Sequence, residues 1–410
     1  MHIKSFMLKD VKVIANLEVT FDQPAGWHVI IGDNSAGKST LAKALVLGLI
    51  GADNFLSMTD FGGWIRFGQE EANLSYDFEL HKEYEAFEQD KLSKQYSLSP
   101  IYETYVAVRS KSEKWEPEYK TNLKGYFSSS FGPYRRLEGS SIFNSLYTSK
   151  PRLAAHRSTF EGDFVFSRGI DWLKKLKFAS LSNDYAAGFL LDFFIKFINR
   201  AGLLPNGFVI IDVNSEDILI KGFEGHISRL NEQSDGIKSV LSLVLEILYN
   251  LILNFTVNEI IQDDQEYKIK VPGVVIIDEV DVHLHPEWQT KIGDWFTTQF
   301  PNMQFIVTTH SALICRGCGE MGTIIKLATP NSSYESGVIV GAERSRLVFG
   351  NMLDAYGTEL FGKQPNRSLG VNKKNKLAIL EAKFAFAKLS PEEDIEYQIL
   401  KQTFSTDDTH

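Results

Sequence analysis

A glycine-rich loop between a strand and a helix is the feature of this chain that most constrains its fold. The loop has the pattern G-x-x-x-x-G-K-S, follows the apolar run 27–31 and precedes the helix-forming run 41–46. Glycines let such a loop curl, so that successive backbone N–H groups and the N-terminus of the next helix face phosphate oxygens. The residues predicted to bind phosphate are Gly32, Asp33, Asn34, Ser35, Ala36, Gly37, Lys38, Ser39 and Thr40.

Two residues of this loop are predicted to have further roles. Lys38 is expected to reach the β and γ phosphates of a nucleotide, and the hydroxyl of Ser39 is expected to hold Mg²⁺. The sequence therefore predicts ATP and Mg²⁺ as ligands.

A pair of carboxylates follows a second apolar strand, predicted over 274–277. A strand that is buried on both faces opens onto a ligand at its C-terminal end, so Asp278 is predicted to hold Mg²⁺ directly or through water. Glu279 is predicted to accept a proton from the water that attacks the γ phosphate. An acidic strand end alone is ambiguous, and the phosphate loop on the same chain favours this interpretation.

Two further segments complete the predicted site. Ser234-Asp235-Gly236 precedes a helix predicted over 237–254. It is either an ordinary N-cap or a helix N-terminus at which Ser234 and Gly236 face the γ phosphate of ATP held by a second subunit. His310 ends another apolar strand, where its imidazole could hydrogen-bond the γ phosphate or be satisfied by backbone groups.

These elements, with the segment 280–286 after Glu279, resemble in their order the ATP-binding cassette of the SMC/RecF/OLD class. The resemblance covers residues 1 to about 80 and about 208 to 325. It implies an α/β fold, the head of an ABC ATPase: a P-loop NTPase with a mixed sheet, an antiparallel β lobe, helical insertions and a helical C-terminal segment. Heads of this class sandwich ATP between two copies, which implies a dimer or higher oligomer in which Ser234 and Gly236 act in trans.

The residues from Asp278 to Pro286 and the compact length look most like ATPases of bacterial antiphage systems of the Septu, retron-associated and PARIS types. That likeness implies an Mg²⁺-dependent enzyme that hydrolyses ATP to ADP and phosphate, and whose head closure controls a partner nuclease or toxin. Two alternatives stay open: a RecF-type repair ATPase that binds DNA directly, and a scaffold in which ATP is mainly structural. A transporter is disfavoured because the signature lacks Leu-Ser-Gly-Gly. Gln69 is a weak candidate for the glutamine that links Mg²⁺ to the β lobe.

Composition limits the class of protein. The chain has 410 residues, 43% apolar and 23% charged, with a net charge of −9, as in ordinary soluble globular proteins. We expect a cytoplasmic protein without a membrane segment, because no signal peptide opens the chain and charged residues interrupt the apolar run 237–255.

The expected divisions are a β lobe with the phosphate loop (1–80), an insertion (81–207), the second half of the ATPase (208–325) and a mainly helical extension (326–410). No nuclease domain is expected, since the residues after His310 lack a spaced acidic set after an apolar strand.

Several weaker signals remain. The stretch 131–177, which contains Arg135 and Arg136, has a local excess of positive charge that is either a nucleic-acid contact or a solvated surface. Cys315 and Cys318 are expected to be free thiols in a loop, and His283 with His285 is a weak metal candidate. We also expect a loop over 128–149, a helix over 83–95, one or two helices over 171–199 and a helix in 376–404 that Ser390 caps.

Overall fold

The computed structural model describes most of the chain, namely residues 1–51, 54–55, 58–59, 63–81, 91–98, 127–135, 151–162, 164–200, 202–222, 225–262, 266–329, 332, 334–350, 376, 379–380, 383–384 and 390–404. It divides the chain into two compact units, residues 1–355 and 356–410. The sequence also has a strand-like run near Tyr102 to Val108, which lies outside the described residues. The four domain limits given above stay predictions.

The first unit combines strands and helices in an α/β arrangement. The strands are β1 (His2–Val11), β2 (Ile14–Thr20), β3 (Gly26–Gly32), β4 (Ala72–Glu79), β5 (Lys91–Leu98), β6 (Phe127–Phe131), β7 (Val209–Val213), β8 (Ile218–Lys221), β9 (Ile227–Arg229), β10 (Gly273–Ile277), β11 (Met303–Thr309), β12 (Ile324–Leu327) and β13 (Gly337–Val338). The helices of this unit are α1 (Lys38–Ile50), α2 (Pro151–Ala154), α3 (Arg168–Leu181), α4 (Tyr185–Arg200), α5 (Asp235–Asn254), α6 (Val257–Ile260), α7 (Pro286–Gln299) and α8 (Gly341–Phe349).

A six-stranded sheet in the order β13-β12-β3-β11-β10-β6 forms the centre of this unit. All neighbours from β12 to β6 pair in parallel, so the carboxyl ends of β3, β10 and β11 lie at one edge. Every residue of β10 and β11 is buried, as a parallel sheet covered on both faces requires. Ile306 belongs to the core that includes α1, whereas Phe305 packs against Phe296 of α7. The sheet therefore presents its carboxyl edge, with the loops that follow each strand, as the place for a ligand.

An antiparallel sheet in the order β2-β1-β4-β5 forms the β lobe, which confirms the antiparallel lobe that the family resemblance implied. The hydroxyl of Tyr76 in β4 donates to the carbonyl of Ala44 in α1 at 2.6 Å. A Cβ at Gly48 would lie 2.7 Å from the Tyr76 ring, so glycine is needed for this close approach. The lobe is thus fixed directly to the helix that follows the phosphate loop.

Two predictions of secondary structure in the first third of the chain are wrong. Residues 128–131, the start of the segment 128–149 that was expected to be a loop, belong to the fully buried strand β6. Residues 91–95, expected to be helical, belong to β5, and residues 83–90 lie outside the described part. The serines of β6 are compatible with burial because their hydroxyls are satisfied: Ser128 and Ser130 lie 3.0 and 2.9 Å from the two ring nitrogens of His156.

Other predictions of helices are confirmed. The segment expected to hold one or two helices forms α3 and α4, and the helix expected after Ser234 is α5. Of the described helices, only α5 has the length and composition to cross a membrane. Of its most apolar stretch of 18 residues, 72% is buried inside the protein, as in a core helix. A separate three-stranded antiparallel sheet, β7-β8-β9, precedes it.

The second unit contains the helix α9 (Pro391–Phe404). Ser390 caps this helix as predicted: the Glu393 N–H donates to Ser390 Oγ at 3.3 Å, and the Ser390 N–H donates to a Glu393 carboxylate oxygen at 3.0 Å.

Candidate functional site

The predicted phosphate loop runs from the end of β3 to the start of α1. Its backbone takes left-handed conformations at Ser35 (φ 67°) and Gly37 (φ 97°). A Cβ at Gly37 would lie 2.8 Å from Cγ2 of Val13, so both the conformation and the space at this position require glycine. Asp33, Asn34, Ser35 and Ser39 are exposed, so the loop is open to a ligand from solvent.

Lys38 folds back across the loop. Its ammonium donates to the carbonyls of Gly32 at 2.7 Å and Asp33 at 3.1 Å, and lies 3.4 Å from Nδ1 of His310. Burial lowers the pKa of Lys38, and the carboxylates of Glu279, Asp278, Asp281 and Asp33 oppose that shift. The structure therefore brings the loop lysine, the acidic end of β10 and the histidine after β11 into one site.

Thr308, which the sequence analysis missed, organises the acidic pair. Its hydroxyl donates to Oδ1 of the buried Asp278 at 2.5 Å and accepts from the N–H of Glu279 at 2.8 Å. The feature of the sequence that could have indicated this role is the pair Thr308-Thr309, which ends the apolar strand β11 beside β10. This contact fixes the carboxylate predicted to hold Mg²⁺ and the backbone of the predicted base.

Glu279 is held in an uncommon backbone conformation, with φ 48°. Its N–H is bound by Thr308, and its carbonyl accepts from the guanidinium of Arg135 at 2.9 Å. Its side chain is half-buried. A left-handed non-glycine residue at a candidate catalytic position is a strained arrangement that surrounding contacts maintain.

Both alternatives given for Arg135, a contact for nucleic acid and a solvated surface position, are wrong. Only 8% of the residue is exposed, and its guanidinium donates to the carbonyls of Asp278 and Glu279. The prediction treated every basic residue of 131–177 as solvated, because the sequence gives no sign that a loop arginine is buried. Arg136 lies outside the described residues.

Much of the remaining charge of this stretch is paired within the protein. Arg157 bonds Glu161, Arg168 lies 2.8 Å from Glu246, and Lys177 lies 2.7 Å from Asp212. Lys174 donates to the carbonyl of Glu216 at 2.6 Å. These pairs reduce the positive charge that this surface could offer to phosphates.

The loop 280–285 connects the acidic strand end to His310 and to α5. Asp281 Oδ1 accepts from the Thr309 hydroxyl at 2.5 Å and lies 3.4 Å from the His310 backbone nitrogen. A Cβ at Gly236 would lie 2.6 Å from the carbonyl oxygen of His283, so this glycine is needed where α5 packs on the loop. Ser234, immediately before α5, is exposed and its side chain makes no capping hydrogen bond.

The weaker metal candidates do not form ligand clusters. Within the described ranges, no group of three or more His, Cys, Asp or Glu residues could hold a metal ion by itself. Cys315 and Cys318 are free and buried in a 3₁₀ helix, Ala312–Cys318, where a loop was expected; burial raises the pKa of both thiols, that of Cys318 to about 12. His285 accepts the N–H of Glu287 at the start of α7, and Gln69 is exposed.

Comparisons with known proteins give several partial likenesses. The Septu protein PtuA of Bacillus mycoides (strain KBAB4) is 32% identical over 26% of this chain and 14% of its own length. A PtuA of Bacillus thuringiensis is 30% identical over 32% of this chain and 35% of its own length. The "Retron Vc95 probable ATPase" of Vibrio cholerae is 40% identical over 20% of this chain and 14% of its own length. Each match spans far less than two thirds of the relative.

Among solved structures, an Smc head bound to the C-winged helix domain of ScpA covers 84% of this chain with all of its own length, at 15% identity and a TM-score of 0.48. A structure of the recombination mediator protein RecF covers 83% of this chain with 98% of its own, at 14% identity and a TM-score of 0.44.

One family model matches residues 28–316, which is more than half of the chain and includes every predicted site residue. The phosphate loop, the parallel sheet and the antiparallel lobe give the chain the fold of an α/β P-loop ATPase of the ABC type. The chain therefore belongs to the family described as "AAA domain, putative AbiEii toxin, Type IV TA system".

Proposed function

We propose that this chain is the Mg²⁺-dependent, ATP-hydrolysing subunit of a bacterial antiphage defence system that acts in the cytoplasm. In this proposal ATP drives two heads together, and closure controls a partner nuclease or toxin. The observation that carries the enzymatic part is that Lys38, Asp278, Glu279 and His310 lie together at the carboxyl edge of one parallel sheet. The Septu and retron relatives support the defence setting.

The residues present fit ATP and Mg²⁺. The loop is open to solvent, needs glycine at position 37 and places a lysine at its base, as a phosphate cradle requires. Asp278 is a single buried carboxylate, and Mg²⁺ is commonly bound by one or two carboxylates together with phosphate oxygens and water. When bound, Mg²⁺–ATP supplies the terminal phosphoanhydride bond that water cleaves. Ser39 and Asp278 are the residues that would hold the ion.

Each residue of the site then has a defined task. Lys38 neutralises phosphate charge with its ammonium, and the backbone N–H groups of the loop orient the phosphates. Glu279 accepts the proton of the attacking water at its carboxylate, and Thr308 binds its backbone N–H. His310, whose Nδ1 lies 3.4 Å from the lysine ammonium, contacts the terminal phosphate in this proposal. Ser234 and Gly236 serve the nucleotide of the second copy.

The test separates binding from hydrolysis. Lys38→Ala removes the charge that holds the phosphates, so ATP binding should be lost. Glu279→Gln keeps the shape of the side chain and removes the base, so ATP should still bind while kcat falls by roughly 10² to 10⁴-fold. Steady-state phosphate release and equilibrium binding of ATP measure the two effects.

Glu287→Gln is the matched control, because Glu287 is an exposed glutamate whose partner Lys291 lies on the same helix. It should hydrolyse ATP at the parental rate. If Lys38→Ala and Glu279→Gln also hydrolysed ATP at the parental rate, this site would not be the one that hydrolyses ATP.

A further inference from the structure

Arg135 is a buried charge that the proposed reaction does not otherwise use. Its guanidinium donates to the carbonyls of Asp278 at 2.8 Å and Glu279 at 2.9 Å, and lies 3.4 Å from Oγ of Ser239. Burial lowers the pKa of Arg135 to about 10, and the carboxylates of Asp278, Asp281 and Glu279 oppose that shift. Placing a cation in this position costs desolvation free energy, so its contacts need a purpose beyond packing.

The segment that carries Arg135 is fixed by buried polar contacts. It follows β6, the strand that pairs with β10. The carbonyl of Phe131, the last residue of β6, accepts the N–H of Asp278 at 2.8 Å. A Cβ at Gly132 would lie 2.1 Å from the carbonyl oxygen of Ser158, and the Gly132 N–H donates to Ser158 Oγ at 3.3 Å. The loop that carries Arg135 is therefore anchored in the core at its start.

Arg135 and Thr308 hold the backbone of Glu279 from both ends. Thr308 accepts from its N–H, and Arg135 donates to its carbonyl and to that of Asp278. Because Glu279 has φ 48°, the direction of its carboxylate depends on these contacts. Loss of one contact would let the residue relax toward an ordinary backbone conformation and move its carboxylate.

Arg135 also joins the acidic strand end to α5. Ser239 lies near the N-terminus of α5, a few residues after Ser234, which precedes the helix, and Gly236, which is in its first turn. Gly236 marks a second close approach, since a Cβ added there would lie 2.6 Å from the carbonyl oxygen of His283 in the loop after Glu279. A movement of the N-terminus of α5 would therefore act on Glu279 through two contacts.

We propose that Arg135 is a positioning residue that holds Glu279 in its left-handed conformation and couples the position of α5 to it. This inference rests on the proposed function, because it assigns Arg135 a role in the turnover that Glu279 performs. ATP binding uses the phosphate loop and does not need this contact. Loss of Arg135 should thus lower kcat and leave ATP affinity nearly unchanged.

The experiment compares Arg135→Lys and Arg135→Met with the parental chain in kcat, ATP affinity and thermal unfolding. Arg135→Met should lower kcat by about 10²-fold, the cost of a misplacement of about 1 Å, with ATP affinity within about threefold. Arg135→Lys should recover part of kcat, because an ammonium can bond one of the two carbonyls but not both. A fall in kcat that only follows the loss of folded, ATP-binding protein would overturn the inference.

Two further variants distinguish a change in kcat from a loss of folded protein. Arg344→Met is the matched control, since Arg344 also donates to backbone carbonyls, those of Gly319, Glu320 and Gly322, on a different part of the chain. It should lower stability without changing kcat per folded molecule. Ser239→Ala removes only the hydroxyl that Arg135 approaches and should lower kcat at constant ATP affinity; an unchanged kcat would overturn the coupling to α5.

The parental chain separates this inference from the proposed function. If it binds ATP without hydrolysing it, the proposed function fails and the inference with it. If it hydrolyses ATP and Arg135→Met has an unchanged kcat, the inference alone fails.

Discussion

Gly236 and Gly188 are helical glycines that differ in the space around them. A Cβ at Gly236 would lie 2.6 Å from the His283 carbonyl, whereas a Cβ at Gly188 in α4 would lie 3.6 Å from Cβ of Ser180, an ordinary contact. Gly236 was predicted to bind the phosphate of a second copy. Its close packing gives a further reason for glycine at this position.

We expect Gly236→Ala to force α5 and the loop 280–285 apart. Such overpacking costs roughly 1–3 kcal/mol of unfolding free energy, and the movement of the loop should also lower kcat. Gly188→Ala should instead raise the unfolding free energy by roughly 0.4–1 kcal/mol, because alanine has less entropy to lose in a helix. Urea unfolding and ATP hydrolysis of both variants check this. Equal stability changes at the two positions would contradict the packing argument.

The sequence predicted some residues of the site and missed others for a physical reason. Lys38, Asp278, Glu279 and His310 each stand in or directly after a recognisable loop or apolar strand, and parallel strands end at one edge, so their proximity could be predicted. Arg135 contacts a carbonyl 143 residues away, and no local pattern reports such a contact. The left-handed conformation of Glu279 depends on the same tertiary contacts. The catalytic roles themselves stay predictions.

At the scale of elements, α3 is joined to α5 by a buried ion pair. Arg168 lies 2.8 Å from Glu246, which has no exposed surface, and the Gly169 N–H donates to the same carboxylate at 3.1 Å. Burial raises the pKa of Glu246, and Arg168 opposes that shift. A carboxyl group with a raised folded pKa contributes stability below its unfolded pKa and loses that contribution as pH rises through the folded pKa.

We expect Arg168→Met to leave Glu246 as an uncompensated buried carboxylate. Its pKa should then rise further, and at pH 8 the variant should lose about 3–5 kcal/mol of unfolding free energy. The loss should shrink toward pH 5, because protonated Glu246 needs no cation. Urea unfolding at a series of pH values measures this dependence.

Arg157→Met is the control for this prediction, since the side chain of its partner Glu161 is 37% exposed. It should cost at most about 1 kcal/mol, the usual range for a solvent-exposed pair. A loss for Arg168→Met that does not change with pH would show that the packing of the long side chain, and not its charge, stabilises this contact.

The element β6 shows why composition misleads at this scale. A serine-rich segment is usually a loop, because serine bonds its own backbone in turns. Here the hydroxyls of Ser128 and Ser130 bond the ring nitrogens of His156, which comes from a distant part of the chain. The partner that makes burial of the serines acceptable is tertiary, so the local sequence could not predict a strand.

At the scale of the whole molecule, the proposed function requires a second copy. Ser234 is exposed before α5 and bonds no backbone group as a cap, so its hydroxyl is available to a ligand from outside this chain. A glutamate at this position would be compatible with the helix, because negative charge is favourable at a helix N-terminus. It would, however, repel a phosphate held by another copy.

We therefore expect Glu279→Gln to form a dimer with ATP and Mg²⁺, because the bound ATP is not hydrolysed. The double variant Glu279→Gln/Ser234→Glu should stay monomeric, although it still binds ATP. Light scattering during size-exclusion chromatography, with and without nucleotide, measures the mass. Val340→Glu in the same background is the control: Val340 also stands immediately before a helix and is 71% exposed. It should dimerise like Glu279→Gln. A dimer of equal stability in the Ser234→Glu background would mean that this helix end does not face the partner's nucleotide, and a sandwich of two heads built on it would have to be abandoned.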